Sequence, residues 1–182
     1  MARLIVVEGP DNSGKTTFIQ HLLNNFPGTE VIQFPKRNTD KTRFNIITRN
    51  DLAIFETMLD YLPQDKVFIL DRSYISNAVY ERLRGDSKWP MYTSDMIDLI
   101  DHHDVLVVPL TRNYLEVPFE DDLISLSAEG FNKVIDLYND EYEGLGLKPI
   151  EILKMDSENN PIESMALIDI DDVLGLSEFI YA

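Results

Sequence analysis

Eight consecutive residues near the amino terminus, Gly9-Pro10-Asp11-Asn12-Ser13-Gly14-Lys15-Thr16, constrain this chain more than any other feature. They satisfy G-x-x-x-x-G-K-[ST] in full, the pattern of a loop that wraps phosphate groups. Its two glycines let the backbone bend tightly and turn N–H groups onto phosphate oxygens. A helix opening at Lys15 would present its positive dipole end to the same anion. The context agrees, because the loop follows Arg3–Glu8, a β-branched-rich run that reads as a buried strand. It precedes Phe18, Ile19, Leu22, Leu23 and Phe26, which share one side of a helix that Pro27-Gly28 ends. Gly9, Asn12, Ser13, Gly14, Lys15, Thr16 and Thr17 are therefore expected to hold the triphosphate of ATP. Lys15 should reach the β- and γ-phosphates, and the Thr16 hydroxyl should ligate Mg²⁺.

A second acidic strand end belongs with such a loop. Val67-Phe68-Ile69-Leu70-Asp71 is apolar up to its carboxylate, and Asp71 is expected to hold Mg²⁺ directly or through water. Arg72 follows at once, a planar donor fork suited to phosphate. Further apolar runs at Glu30–Phe34, Val105–Pro109 and Ile150–Met155 predict three more strands. Helical spacing is found over about 40–62, 74–84, 94–102 (capped at Thr93, Ser94 or Asp95), Ser127–Tyr142 and 161–174. Strands alternating with helices, and apolar throughout, imply a parallel sheet covered on both faces. The expectation is one α/β domain over 1–182, a three-layer α/β/α sandwich on a five-stranded parallel sheet.

Charge and composition narrow the function. With 32 acidic and 16 basic residues the formal net charge is −16, a field that repels long nucleic acids while leaving room for small anionic nucleotides. There are no cysteines, which removes disulfides, thiolate metal sites and cysteine nucleophiles. No run approaches the roughly 18–20 apolar residues of a membrane span, and the first strand is too short for a signal peptide. A cytoplasmic location is expected. His102-His103-Asp104 reads as structural, since adjacent histidines point different ways, and Trp89 before Pro90 reads as loop packing. Asp169, Asp171 and Asp172 read as a solvated helix face.

Longer stretches resemble one family. Glu8 through Thr17 is similar to the E-G-x-D-x-x-G-K-[ST]-T loop of thymidylate kinases, which are P-loop nucleoside monophosphate kinases. Asp71-Arg72-Ser73-Tyr74-Ile75-Ser76-Asn77-Ala78-Val79-Tyr80 resembles their D-R-[YFH]-x-x-S-x-x-A-[YF] segment, and Phe34-Pro35-Lys36-Arg37 their F-P-x-R. The resemblance implies transfer of the ATP γ-phosphoryl group to a deoxynucleoside 5′-monophosphate, dTMP by default or a modified pyrimidine nucleotide. It implies that Asp11 touches the sugar 3′-hydroxyl and phosphate region. Phe34 and Pro35 would shape the acceptor pocket, Arg37 would lie near its phosphate, and Arg72 would clamp the phosphates. Phe55 would stack on the base, Asn77 would lie by the base edge, and Tyr80 would exclude a ribose hydroxyl. Lys15, Arg72, Asp11 and Arg37 would then form the catalytic group. A homodimer is implied as well.

Two departures stand out. Leu59 occupies the place of the family's thymine-reading arginine, so the base is open, with Arg43 and Arg49 as substitutes. The lid region, Thr111–Gly130, carries Arg112 as its only basic residue against Glu116, Glu120, Asp121, Asp122 and Glu129. The missing arginine would have to be Arg37, Arg43 or Arg112. Competing readings are a deoxynucleoside or DNA-base kinase, and a catalytically weakened nucleotide-binding switch. Phe34-Pro35 brings no carboxylate to deprotonate a hydroxyl acceptor, and no N-K-x-D guanine-reading motif is present.

Overall fold

A computed structural model describes residues 1–33, 49–120 and 125–182. Its centre is a four-stranded parallel sheet in the order β2-β3-β1-β4. These strands are β1 (Arg3–Glu8), β2 (Thr29–Ile32), β3 (Val67–Asp71) and β4 (Asp104–Pro109). Leu4, Ile5, Val6 and Val7 are all 0% exposed, as a central strand with both faces covered requires.

Side-chain alternation along β1 divides the core into two layers. Leu4 and Val6 face α2 (Arg49–Asp60), α3 (Tyr74–Arg84), α4 (Trp89–His102) and α5 (Ala128–Gly144) through Leu59, Ile75, Val79, Met96, Leu99 and Tyr138. Ile5 and Val7 face α1 (Lys15–Asn25), α6 (Leu167–Leu174) and α7 (Leu176–Tyr181) through Phe18, Leu22, Ile170 and Leu176. Each fully buried aliphatic side chain stabilises the fold by roughly 1.5–3 kcal/mol relative to exposure. The three-layer expectation therefore matches.

The fifth parallel strand does not. Among the described residues, chain pairing beyond β4 is reduced to one parallel bridge, Leu110 with Ile150, closed by Thr111 N–H to Ile150 O at 2.9 Å and Ile150 N–H to Pro109 O at 2.9 Å. The chain then folds back on itself, pairing β7 (Leu153–Met155) antiparallel with β8 (Pro161–Ser164). A local turn drives this. Asp156 Oδ1 accepts from Asn160 N–H at 2.8 Å and Glu158 N–H at 2.9 Å, and Asn159 takes a left-handed φ of 65°. The predicted helix over 161–174 consequently starts only at Leu167.

Three other expectations are corrected. Helix α4 starts at Trp89 rather than 94, with Pro90 in its first turn, where a missing N–H costs nothing. Trp89 is no loop residue, and the Arg82 guanidinium lies 4.6 Å from its ring centroid. Asp171 is also more than a solvated charge, accepting the Ser177 N–H at 2.6 Å and the Ser177 hydroxyl, which ties α7 to α6. A short antiparallel pair, β5 (Phe119–Glu120) and β6 (Ser125–Leu126), precedes α5, whose N-cap Ser127 accepts from Gly130 N–H.

Candidate functional site

The site forms where β1 and β3 end side by side. Val7 lies opposite Asp71 in the register, so the phosphate loop and the second acidic strand end emerge together. Gly9 adopts φ 154°, and a Cβ there would stand 2.8 Å from Ser13 Oγ and 2.9 Å from Leu110 O, so only glycine fits. Gly14 is the left-handed N-cap of α1 at φ 86°, and no side chain caps that helix end among the described residues. The first-turn amides therefore stay available to an anion. Thr16 and Thr17 on that turn are exposed, as is Asn12 with φ 56°. Ser13 differs: it is 1% exposed, and its hydroxyl has no protein partner among the described residues. Only its backbone can serve a solvent-borne phosphate.

Two ion pairs fill the mouth of the loop. Lys15 Nζ lies 2.5 Å from Asp71 Oδ1, and Arg72 Nη2 donates to Asp11 Oδ1 at 2.5 Å. Lys15 and Arg72 are thus each matched by a predicted carboxylate. A nucleotide's phosphates would replace carboxylate oxygens around both cations, exchanging one charge-assisted bond for another.

Arg72 is the most constrained residue of the set. Its backbone takes φ 70°, outside the usual range for a bulky residue, with its N–H donating to Val7 O at 3.0 Å. Its Nη1 donates to Tyr80 OH at 3.1 Å and to Tyr138 OH at 2.6 Å. The Tyr80 ring lies beneath it, 5.6 Å from centroid to guanidinium carbon, and edge-on to Tyr138. Burial opposes the guanidinium's charge, but Tyr138, Tyr80, Asp11 and Glu8 outweigh it and hold the proton more firmly than usual. Burial raises both phenols, so Tyr80 and Tyr138 stay neutral.

Glu8, Ser76 and Tyr138 belong to the site although sequence reasoning gave them no role. Glu8 is 0% exposed. Its Oε1 accepts from Ser73 N–H at 2.6 Å and Ser73 Oγ at 2.7 Å, and its Oε2 accepts from Ser76 Oγ. It fastens the Arg72–Ser76 turn to the strand that carries the phosphate loop. A glutamate closing an apolar strand, with two serines after Asp71-Arg72, was the available signal. Tyr138 gave none, because helical periodicity counts tyrosine as apolar.

Burial raises the Glu8 carboxyl above its ordinary value, partly offset by the Ser76 and Ser73 donors and by Arg72. A raised carboxyl contributes stability below its unfolded value and loses it as pH climbs through the folded one. Glu8→Gln should remove that slope. Denaturant unfolding of both proteins between about pH 4 and pH 8 should show the wild type losing ground to the variant as pH rises. Parallel curves would mean that Glu8 does not titrate on folding.

The remaining candidates divide. Asn77, half-buried, lies one turn before Tyr80 on α3. Phe55 is 4% exposed within the apolar layer beside Leu52 and the fully buried Leu59, so its ring offers little face to a base as it stands. Leu59 is a core position, which accounts for the absence of an arginine there. Phe34, Pro35, Arg37 and Arg43 lie outside the described residues, as does the side chain of Arg49. Arg112 cannot serve as a lid finger in this arrangement. It is 3% exposed, donates to Asn159 Oδ1 at 2.9 Å and Asn113 O at 3.1 Å, and covers the Phe131 ring. His103 Nδ1 accepts the Ala2 N–H at 3.1 Å, and burial lowers its pKa.

No protein-family model matches the chain, and no curated protein matches it. Solved structures do. The YorR protein of Bacillus subtilis, in complex with phosphorylated GDP, is 18% identical with a TM-score of 0.55, covering 96% of this chain and 95% of that one. Thymidylate kinase from Candida albicans is 15% identical with a TM-score of 0.54, covering 98% and 93%. At such identities the likeness establishes architecture. The chain shares the α/β architecture of these two structures, built here on a four-stranded parallel sheet. Among the described residues no helix is long and apolar enough to cross a membrane.

Proposed function

We propose that this protein is an ATP-dependent nucleoside monophosphate kinase whose acceptor is a deoxynucleoside 5′-monophosphate, with dTMP or a modified pyrimidine nucleotide preferred. One observation carries the reading: Arg72 stands between Asp11 of the phosphate loop and the phenols of Tyr80 and Tyr138, beside the Lys15–Asp71 pair. A second cation beside the phosphate loop supports the meeting of an acceptor phosphate with the donor triphosphate there.

Phosphoryl transfer needs alignment and charge neutralisation more than a side-chain nucleophile. An acceptor phosphate oxygen, already anionic, attacks the γ-phosphorus. A P–O bond forms, the bond to the β-bridging oxygen breaks, and ADP leaves. Lys15 and the α1 amides hold the donor, and Arg72 holds the acceptor. Hard oxygen donors, the exposed Thr16 hydroxyl and the Asp71 carboxylate beside Lys15, fit Mg²⁺. Bound there, the ion would supply charge neutralisation at the β- and γ-oxygens.

Purified protein with ATP, Mg²⁺ and a panel of nucleoside monophosphates should yield a diphosphate from at least one pyrimidine deoxynucleotide. The panel includes dGMP and GMP, given the ligand of the YorR structure. ATP hydrolysis indifferent to every acceptor would favour the switch reading, which the neutralised cations and acidic lid region would also suit. Tyr80→Ala should lower the deoxyribose-to-ribose preference in kcat/KM by about tenfold, on the order of one steric contact. An unchanged ratio would remove Tyr80 from sugar selection.

A further inference from the structure

We propose that Tyr138 is a positioning residue that sets the orientation of the Arg72 guanidinium through a one-way chain of hydrogen bonds ending on Glu8. The kinetic consequence rests on the kinase reading above; the orientation itself does not.

The direction of the chain follows from counting protons. Ser76 Oγ has one hydrogen and two close partners, Glu8 Oε2 and Tyr138 OH, the latter at 2.7 Å. Above the pH at which Glu8 gives up its proton the carboxylate only accepts, and it already takes the N–H and O–H of Ser73 on its other oxygen. Ser76 therefore spends its hydrogen on Glu8 and accepts from Tyr138. The phenol's single hydrogen is then committed, and a lone pair is what it presents to Arg72. Nη1 donates into that lone pair at 2.6 Å and sends its second hydrogen to Tyr80 OH at 3.1 Å. Nη2 is left facing Asp11. Each donor in such a series polarises the next.

The chain returns to the phosphate loop at both ends, since Glu8 immediately precedes Gly9 and Asp11 lies within the loop. Without Tyr138 the guanidinium keeps Asp11 and Tyr80 but loses the shorter of the two Nη1 bonds that, with Asp11, resist rotation about Nε–Cζ. A planar fork works by presenting its donors in a fixed plane, so freedom there weakens the grip on an acceptor phosphate.

The competing view is that Tyr138 is a satisfied core tyrosine and nothing more. Tyr142, one turn later on α5, separates the two. It is equally 0% exposed, and its hydroxyl donates to Leu110 O at 3.0 Å with no bond to Arg72. Tyr138→Phe and Tyr142→Phe thus remove the same atom from the same helix at the same depth.

Guanidinium ¹⁵N spectra of the free protein read the orientation directly. Arg72 should show two distinct Nη environments in the wild type and in Tyr142→Phe. In Tyr138→Phe they should merge, with rotation faster by about tenfold or more, as expected for loss of one strong bond. In steady-state kinetics Tyr138→Phe should raise the acceptor KM about tenfold and leave the ATP KM within about twofold. Tyr142→Phe should match the wild type in both constants, whatever its effect on Tm. Unchanged Arg72 rotation in Tyr138→Phe, or equal loosening in Tyr142→Phe, overturns the proposal. A wild type that phosphorylates no nucleoside monophosphate refutes the kinase reading, and the spectra then decide the positioning role alone.

Discussion

Lys15→Ala should lower phosphoryl transfer by about a thousandfold or more while leaving the fold in place, judging from what single transition-state donors contribute elsewhere. The ammonium is held near the phosphate loop by Asp71 at 2.5 Å, with only 11% of its side chain exposed. It would meet the phosphates partly shielded from water, where its charge counts for more. Its removal also frees Asp71, so the carboxylate proposed to hold Mg²⁺ loses the cation that fixes its position. Stability should change little, because alanine suits the first turn of α1 and the released carboxylate is 28% exposed and can be hydrated. The measurement is kcat/KM alongside Tm for Lys15→Ala and for Lys15→Ala with Asp71→Asn. The double variant should lose further ATP affinity, because the proposed Mg²⁺ carboxylate goes with the ammonium, and should regain none of the turnover. A single variant retaining a tenth of wild-type activity would take Lys15 out of the chemistry.

The residues behind that prediction were legible because their signals are local. The phosphate loop needs glycine where φ is positive and crowding excludes a Cβ, and Gly9 meets both conditions. Strands β1 and β3 announce themselves as apolar runs buried on both faces, and β4 as one buried from Val107 to Pro109. What failed was decided by partners rather than composition. Ile150–Met155 has the residues of a fifth strand, but the Asp156–Asn160 turn gives Leu153–Met155 an antiparallel neighbour of its own, and the main sheet retains one bridge. Phe55 and Leu59 share the helical spacing of a binding face and prove to point into the core. Arg112 is the lid region's only cation in sequence, yet Asn159 and Phe131 hold it from positions far along the chain. The links from Glu8 through Ser76 and Tyr138 to Arg72 span separations of up to 68 residues, and no periodicity encodes a phenolic hydroxyl.

Arg72→Ala should cost about as much as Lys15→Ala, but with a different division between constants. The guanidinium serves Asp11, Tyr80 and Tyr138 at once through two nitrogens. Such a fork lets one side chain align the acceptor phosphate and absorb charge as the γ-phosphoryl group moves. Its loss should raise the acceptor KM and depress kcat together, by about a thousandfold in kcat/KM, with ATP affinity nearly unchanged. Arg72→Lys should recover no more than about tenfold, since a single ammonium cannot hold a plane set by three partners. The backbone supplies an internal control. At φ 70° a Cβ is strained and glycine is not, so Arg72→Gly should be more stable than Arg72→Ala by about 1 kcal/mol and equally inactive. Lower stability in the glycine variant would show that the left-handed turn is not strained. A lysine variant as active as wild type would show that charge, and not the fork, is what the acceptor reads.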